Sequence, residues 1–233
     1  MSNSSAQDIQ ALFNRIAPIY DQLNDWLSFG QHRIWKQMTV QWSGARPGMT
    51  CLDVCCGSGD LAMRLAKQVG PSGQVTGVDF AESQLAIAQQ RASAKIPPLA
   101  VNWVQGDALQ LPLEANQFDA ATMGYGLRNV VDILGSLREL HRVLKPGAKV
   151  AILDLHRPAN PQNRAFQQWY LNTIVVPMAQ RMGMGDDYAY ISPSLDKFPT
   201  GPEQVTLAKQ AGFVAATHYA IAGGAMGVLV ATK

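Results

Sequence analysis

From Thr50 onward, short apolar runs alternate with stretches whose apolar residues recur at helical spacing. Thr50–Val54 reads as a strand, and the segment starting at Asp60 carries Leu61, Leu65 and Val69 on one side, as an amphipathic helix does. Gln74–Asp79 is the next strand, followed by a helix bearing Leu85, Ala88 and Ala92. Residues 101–105, 120–123 and 149–155 supply three more strands. Val130, Leu134, Leu137, Leu140 and Leu144 mark the helix before the last of these, and Pro146-Gly147 reads as the turn between them. Strands separated by helices imply right-handed βαβ units and a parallel sheet covered on both faces.

The flanks differ. Ile9, Leu12, Phe13 and Ile16 predict a first helix ending at Pro18, and residues 20–35 are crowded with aromatics and amides. Residues 160–182 form a long greasy stretch containing Phe166, Trp169, Tyr170, Ile174 and Val175. Thr200-Gly201-Pro202-Glu203 has the form of a capping box and opens a short helix ending at Gly212. Residues 213–221 and 226–231 then read as a hairpin turning at Gly223-Gly224. The expected fold is α/β, with a seven-stranded, mostly parallel sheet whose last two strands include an antiparallel one.

Composition narrows the picture. The chain has 233 residues, 47% of them apolar, enough for one α/β domain to bury a core without staples. No run of about 18 apolar residues suggests a membrane span, and the first residues lack the basic flank and apolar stretch of a secretory signal. The three cysteines, Cys51, Cys55 and Cys56, crowd together, which is no disulfide framework; a reducing, cytoplasmic setting is expected. The net charge is only +2, and no basic run interleaves with aromatics, so nucleic acid is not an expected partner. A weak basic excess is compatible with the edge of an anionic membrane.

The chemistry concentrates in Asp53-Val54-Cys55-Cys56-Gly57-Ser58-Gly59-Asp60, between the first strand and its helix. Glycines there let the backbone turn tightly and approach a ligand. With Ala62 they satisfy the dinucleotide fingerprint, and Asp79 lies 20 residues beyond Gly59 at the end of the second strand. A carboxylate so placed can accept both ribose hydroxyls, in NAD and in S-adenosylmethionine alike. Asp60 separates the two, because it stands where a pyrophosphate would meet the helix N-terminus and would repel it. S-adenosylmethionine brings instead an ammonium and a sulfonium, which Asp53 and its neighbours favour. Asp107, in Gly106-Asp107-Ala108 after the third strand, can accept from the adenine amino group. Each acid has a plainer use: Asp60 as a helix N-cap, Asp107 as a turn residue, Asp53 in ordering its loop. Cys55 and Cys56 lack a second Cys or His pair at ligand spacing, so no metal is expected.

Longer motifs resemble a known family. Tyr20-Asp21-Gln22-Leu23-Asn24-Asp25-Trp26-Leu27-Ser28-Phe29-Gly30-Gln31-His32-Arg33-Ile34-Trp35 follows the Y-D-x-M-N-x-x-L-S-x-G-x-H-x-x-W of the UbiE/MenG methyltransferases of quinone biosynthesis, except for Leu23. Tyr125-Gly126-Leu127-Arg128-Asn129-Val130 and Arg142-Val143-Leu144-Lys145-Pro146-Gly147 match too, as do Tyr188-Ala189-Tyr190-Ile191, Phe198-Pro199 and Ala211-Gly212-Phe213. Two departures, Cys55-Cys56 in the glycine loop and Asp154-Leu155-His156-Arg157-Pro158 for the general Glu-x-Ser, resemble the cyanobacterial and plant-type branch. The resemblance implies a Rossmann-like class I S-adenosylmethionine-dependent C-methyltransferase, releasing S-adenosylhomocysteine. Residues 1–48 would be a helical lid and 49–233 the methyltransferase domain, with 156–200 a substrate-covering insertion. The implied substrate is 2-phytyl-1,4-naphthoquinone, methylated as its reduced naphthoquinol, in the final methylation leading to phylloquinone. Other prenylated quinols such as demethylmenaquinol, a dinucleotide oxidoreductase and a non-catalytic cofactor-binding scaffold are the alternatives.

The resemblance also distributes the site. Cofactor contacts are expected at Tyr20, Asp53, Gly57, Ser58, Gly59, Asp79, Phe80, Gly106, Asp107, Ala108 and Gly124, and substrate contacts at Tyr20, His32, Tyr125, Asn129 and Trp169. Ring methylation needs the reduced naphthoquinol, whose ionising hydroxyl pushes charge onto the adjacent carbon. Arg128 is the expected cation for that developing naphtholate, and His156 and Asp154 the expected proton acceptors. Arg128 also suits a structural bridge to a carboxylate. The N-terminal aromatic segment and the greasy 160–182 stretch are expected to form a lid and an apolar groove for the phytyl tail, with transient docking at the membrane that holds the substrate; the plainer use of the stretch is to cover the sheet or form a homodimer face.

Overall fold

The computed structural model describes residues 30–181 and 191–233. The helix expected over Ile9–Ile16, the residue Tyr20 and the Tyr188–Tyr190 part of its motif lie outside them. Seven strands form one sheet: β1 (Thr50–Val54), β2 (Gln74–Asp79), β3 (Asn102–Gln105), β4 (Phe118–Gly124), β5 (Leu144–Leu155), β6 (Ala215–Ile221) and β7 (Met226–Thr232). Their order is β3-β2-β1-β4-β5-β7-β6. The β3-β2-β1-β4-β5 ladder is parallel, while β7 runs antiparallel to both β5 and β6. The strand order reverses at the β1/β4 junction, where α/β sheets open a crevice above their C-terminal strand ends.

Period-2 alternation builds two cores. Leu52, Val54, Ala121, Met123, Val150 and Ile152 pack on one face with Leu137 and Leu140 of α4 (Ile133–Val143) and with Ala208 of α8 (Gly201–Gln210). Cys51, Val75 and Ala120 face the other way, onto Leu61, Leu65 and Val69 of α2 (Asp60–Val69) and Val40 of α1 (Gln31–Trp42). The helix α3 (Glu82–Ser93) joins β2 to β3. Among the described residues, three more helices, α5 (Pro161–Tyr170), α6 (Val176–Arg181) and α7 (Ile191–Lys197), lie between β5 and α8.

Three details depart from expectation. β5 begins at Leu144, so Pro146-Gly147 lies within a bulged strand, where the pairing to β4 shifts between Phe118 and Ala120, and is not a separate turn. The helix α1 escapes apolar periodicity because polar His32, Lys36 and Thr39 share its buried side with Val40. The greasy stretch buries Leu171 and Val175 in a π-helical turn, but α5 before it buries nothing: Phe166 is 65% and Trp169 52% exposed. The capping box forms, with Glu203 Oε2 accepting from the Thr200 N–H at 2.7 Å.

Candidate active site

A cavity opens at the C-terminal ends of β1, β2, β3 and β4, at the strand-order reversal. The chain leaving β1 turns through Cys55, whose φ is +54°, a left-handed conformation that β-carbon-bearing residues hold only when tertiary contacts enforce it. Tyr125, just past β4, has φ +59° and donates its N–H to the Leu153 carbonyl at 2.7 Å. Both strained residues line the cavity.

Asp79 ties the loop down. Its Oδ2 accepts from the Gly57 N–H at 2.7 Å and its Oδ1 from the Ala81 N–H at 2.9 Å. A carboxylate has lone pairs beyond these two, so it can order the loop and still meet a diol. Burial raises its pKa, against the pull of those N–H groups. Asp53 is more enclosed: Oδ1 accepts from the Thr122 hydroxyl at 2.7 Å, while Oδ2 is buried without a hydrogen-bond partner. Burial pushes its pKa up to about 7, opposed by the Thr122 hydroxyl and the Ala62 N–H. Ser58 is gripped by Arg91 Nη1, 2.7 Å from Oγ and 3.0 Å from the carbonyl. Asp107 Oδ1 accepts from the Leu109 N–H at 2.9 Å, the turn role that its position also suggests.

Of the expected cofactor contacts, Asp53, Gly57, Ser58, Asp79, Phe80, Gly106, Asp107, Ala108 and Gly124 all line the cavity. Gly59 does not: it caps α2, and a Cβ there would stand 2.6 Å from the Trp103 ring, so this glycine serves helix–strand packing. Asp60 is not the N-cap but the first residue of α2. Its Oδ2 lies 2.7 Å from Lys36 Nζ, and Arg64 Nε stands 3.9 Å from Oδ1. Burial works to raise its pKa, and Lys36 and Arg64 outweigh that and lower it. Of the expected substrate contacts, Tyr125 and Asn129 line the cavity, whereas buried His32 and exposed Trp169 do not.

None of the three expected catalytic residues lines the cavity: Arg128 and Asp154 pair with each other, and His156 has a different set of partners. Arg128, in the 3-10 turn Leu127–Asn129, donates from Nη1 to Asp154 Oδ1 at 2.6 Å, from its backbone N–H to Oδ2 at 2.9 Å, and from Nε to Ser194 Oγ at 2.9 Å. Its guanidinium is already neutralised by Asp154, as a structural bridge would be. Burial raises the Asp154 pKa, with Arg128 pulling the other way. His156 sits with Nε2 3.1 Å from His218 Nε2 and 3.3 Å from Gln204 Nε2, under the Phe198 ring. Burial, then His218, push its pKa down to about 3, so it is neutral at ordinary pH.

Lys36 is the wall residue that sequence reasoning missed. Nothing local separates it from a solvated lysine; its burial depends on where α1 packs.

The donor set fits one kind of ligand. An enclosed, unpartnered carboxylate oxygen suits an ammonium, Asp79 suits a diol, and no cluster of three or more metal-ligating side chains occurs among the described residues. Solved structures share the architecture. A methyltransferase from Aquifex aeolicus superposes with a TM-score of 0.63 at 22% identity, covering 84% of this chain and 88% of that one. A possible histamine N-methyltransferase from Thermotoga maritima gives 0.65 at 20% identity, with 96% and 99% covered. The [4+2]-cyclase SpnF gives 0.63 at 17%, over 98% and 96%, a reminder that this fold alone does not dictate methyl transfer. The fold is that of the Rossmann-like class I S-adenosylmethionine-dependent methyltransferases.

The sequence relatives are more specific. The ubiE/COQ5 methyltransferase family model matches residues 1–233. The 2-phytyl-1,4-naphtoquinone methyltransferase of Trichormus variabilis is 66% identical over 226 residues, 97% of this chain and 99% of that protein. The chloroplastic 2-phytyl-1,4-beta-naphthoquinone methyltransferase of Arabidopsis thaliana is 51% identical over 224 residues, covering 95% and 86%. This chain belongs to the ubiE/COQ5 family and is an S-adenosylmethionine-dependent methyltransferase.

Proposed function

We propose that this enzyme methylates the ring of 2-phytyl-1,4-naphthoquinol. The carrying observation is the identity of 66% and 51%, over nearly the whole chain, to cyanobacterial and plant proteins whose names carry the corresponding quinone. S-adenosylmethionine, when bound, supplies an electrophilic methyl group and leaves as S-adenosylhomocysteine. Asp53, Gly57, Asp79 and Asp107 would hold it, through the acidic loop and the acids after β2 and β3.

On the acceptor side, Asn129 supports the reading best. Its Nδ2 donates to the Tyr125 carbonyl at 3.0 Å, which fixes the amide, and its Oδ1 is buried without a hydrogen-bond partner. An unsatisfied buried acceptor on a residue of the cavity wall would take the proton side of a quinol hydroxyl, orienting the ring and drawing charge toward the carbon to be methylated. The neighbouring Val130 and Val131 continue the wall, and Val131 is exposed at its rim, which suits an apolar tail leaving the cavity. Arg128 and Asp154 act on this reading as positioning residues, pinning the turn that carries Asn129.

No described helix is long and apolar enough to cross a membrane. A phytyl-bearing acceptor resides in lipid, and the exposed Phe166 and Trp169 of α5 suit transient docking at its surface. The test is transfer of labelled methyl from S-adenosylmethionine to 2-phytyl-1,4-naphthoquinone with and without reductant. Label in the quinone only under reducing conditions is the expected result. No label with reductant would sink the acceptor assignment, and equal labelling without it would sink the quinol requirement.

A further inference from the structure

Among the described residues, the cavity wall carries four carboxylates, Asp53, Asp60, Asp79 and Asp107, and a single cation, Lys36. That cation arrives from α1, whereas the rest of the wall comes from the strand ends, the loops after them and the first turns of α2 and α3. Its Nζ donates to Asp60 Oδ2 at 2.7 Å and lies 5.9 Å from the centre of the Tyr125 ring, with the side chain 6% exposed. An ammonium has three donors and no acceptor, so the Asp60 bond leaves it the capacity to hold a second anion.

The methyl donor is itself uneven in charge. Its adenosine is neutral, its sulfonium and ammonium are positive, and only the methionine carboxylate is negative. Three of the four acids suit a cationic or polyol ligand: Asp53 with its unpartnered, enclosed Oδ2, and Asp79 and Asp107 at the C-terminal ends of β2 and β3. A carboxylate entering so acidic a wall needs a compensating cation, because an unpaired buried charge is costly. We propose that Lys36 binds the methionine carboxylate of S-adenosylmethionine, with Asp60 as the positioning residue that holds its ammonium at the wall. The acid directly after the glycine loop, awkward for a phosphate-bearing cofactor, then has a purpose here: it orients a lysine toward the donor's one anionic group.

The inference rests on the methyl donor and not on the identity of the acceptor, so binding alone tests it. Equilibrium affinities are measured for S-adenosylhomocysteine and for 5′-methylthioadenosine, which keeps the adenosine and thioether but lacks the amino-acid moiety. Lys36→Met should weaken S-adenosylhomocysteine about tenfold to a hundredfold, the worth of a charge-assisted hydrogen bond, and leave methylthioadenosine within about twofold. Lys36→Arg should keep most of the S-adenosylhomocysteine affinity. The neutral double variant Lys36→Met/Asp60→Asn should discriminate between the ligands in the same way, which covers any cost of leaving Asp60 buried alone. Unchanged S-adenosylhomocysteine affinity in Lys36→Met, or an equal loss for both ligands, would overturn the assignment. A wild type that binds neither ligand would overturn the donor itself.

Discussion

Arg128 and Asp154 form a buried pair, Nη1 to Oδ1 at 2.6 Å, with side chains 7% and 2% exposed. Removing one partner of such a pair strands the other, at about 3–5 kcal/mol. Arg128→Met should therefore lower the unfolding free energy by about 3 kcal/mol in urea titrations. Arg128→Lys, which keeps a charge for Asp154 but not the fork that also reaches Ser194, should fall between. In folded protein, the KM for the acceptor should rise more than the KM for the donor, since the turn bearing Asn129 loosens. Full stability with lost turnover and an unchanged acceptor KM would instead return Arg128 to direct catalysis.

His156 sets an acid limit. Its Nε2 lies 3.3 Å from the Gln204 amide nitrogen, which can only donate, and 3.1 Å from His218 Nε2, so it accepts from the amide and protonation is disfavoured. Its folded pKa of about 3 lies below the unfolded value of about 6.5, so stability is intact above 6.5 and is lost as pH falls toward 3. The slope is about 1.4 kcal/mol per pH unit for one proton. Burial depresses His218 in the same direction. Asp53 works oppositely: pushed up to about 7, it adds stability as pH falls from 7 toward 4. Comparing wild type with His156→Gln, which keeps an acceptor near Nε2 without the titration, isolates the histidine. Urea midpoints between pH 7.5 and 5 should fall less steeply in the variant; parallel curves would show that His156 is not the sensor.

The parallel half of the sheet was legible because short apolar runs such as Thr50–Val54 and Gln74–Asp79 alternate with helices that show an apolar stripe, clearest in α2 and α4. The positions of Asp53, Asp79 and Asp107 followed directly, since a residue at the end of a parallel strand is at the crevice by topology. What stayed hidden depends on packing between distant segments. Lys36 reaches the wall only because α1 packs against α2 and the sheet. Gly227 reads as one more small strand residue, yet a Cβ there would overlap the His218 ring that meets His156. Of the two uses open to Arg128, the bridge could not be assigned a partner in the sequence, because Asp154 is 26 residues away, on the neighbouring strand.

Asn129 offers the sharpest probe of the acceptor. Its Oδ1 lacks a hydrogen-bond partner, so a quinol hydroxyl would gain there a bond that alanine cannot offer; alanine also releases the Tyr125 carbonyl from the Nδ2 that donates to it at 3.0 Å, a cost that both substrates share. Asn129→Ala should reduce kcat/KM for the quinol by about threefold to tenfold, for a neutral bond of about 0.5–1.5 kcal/mol. Affinity for S-adenosylhomocysteine should stay within about twofold. A larger loss for the cofactor than for the quinol would move Asn129 to the donor side.

The membrane reading turns on α5. Asn160 caps it, its Oδ1 accepting from the Gln162 N–H at 2.8 Å, and Pro161 opens it, so local chemistry specifies a helix that buries no side chain. Phe166 packs its ring 5.7 Å from Trp169 and 6.3 Å from Tyr170, which makes one contiguous aromatic face. Aromatic side chains contribute about 1.5–3 kcal/mol each when fully buried, and insertion at a headgroup boundary would capture part of that. Phe166→Ala/Trp169→Ala should therefore cut sedimentation with phospholipid vesicles about tenfold or more, while thermal stability barely changes because neither ring supports the core. Turnover of a tail-less naphthoquinol presented in solution should be unaffected, whereas turnover of the phytyl substrate in vesicles should fall with binding. Unaltered vesicle binding would remove α5 from the membrane, and a large loss of stability would mean that the face is covered in solution by another protein surface.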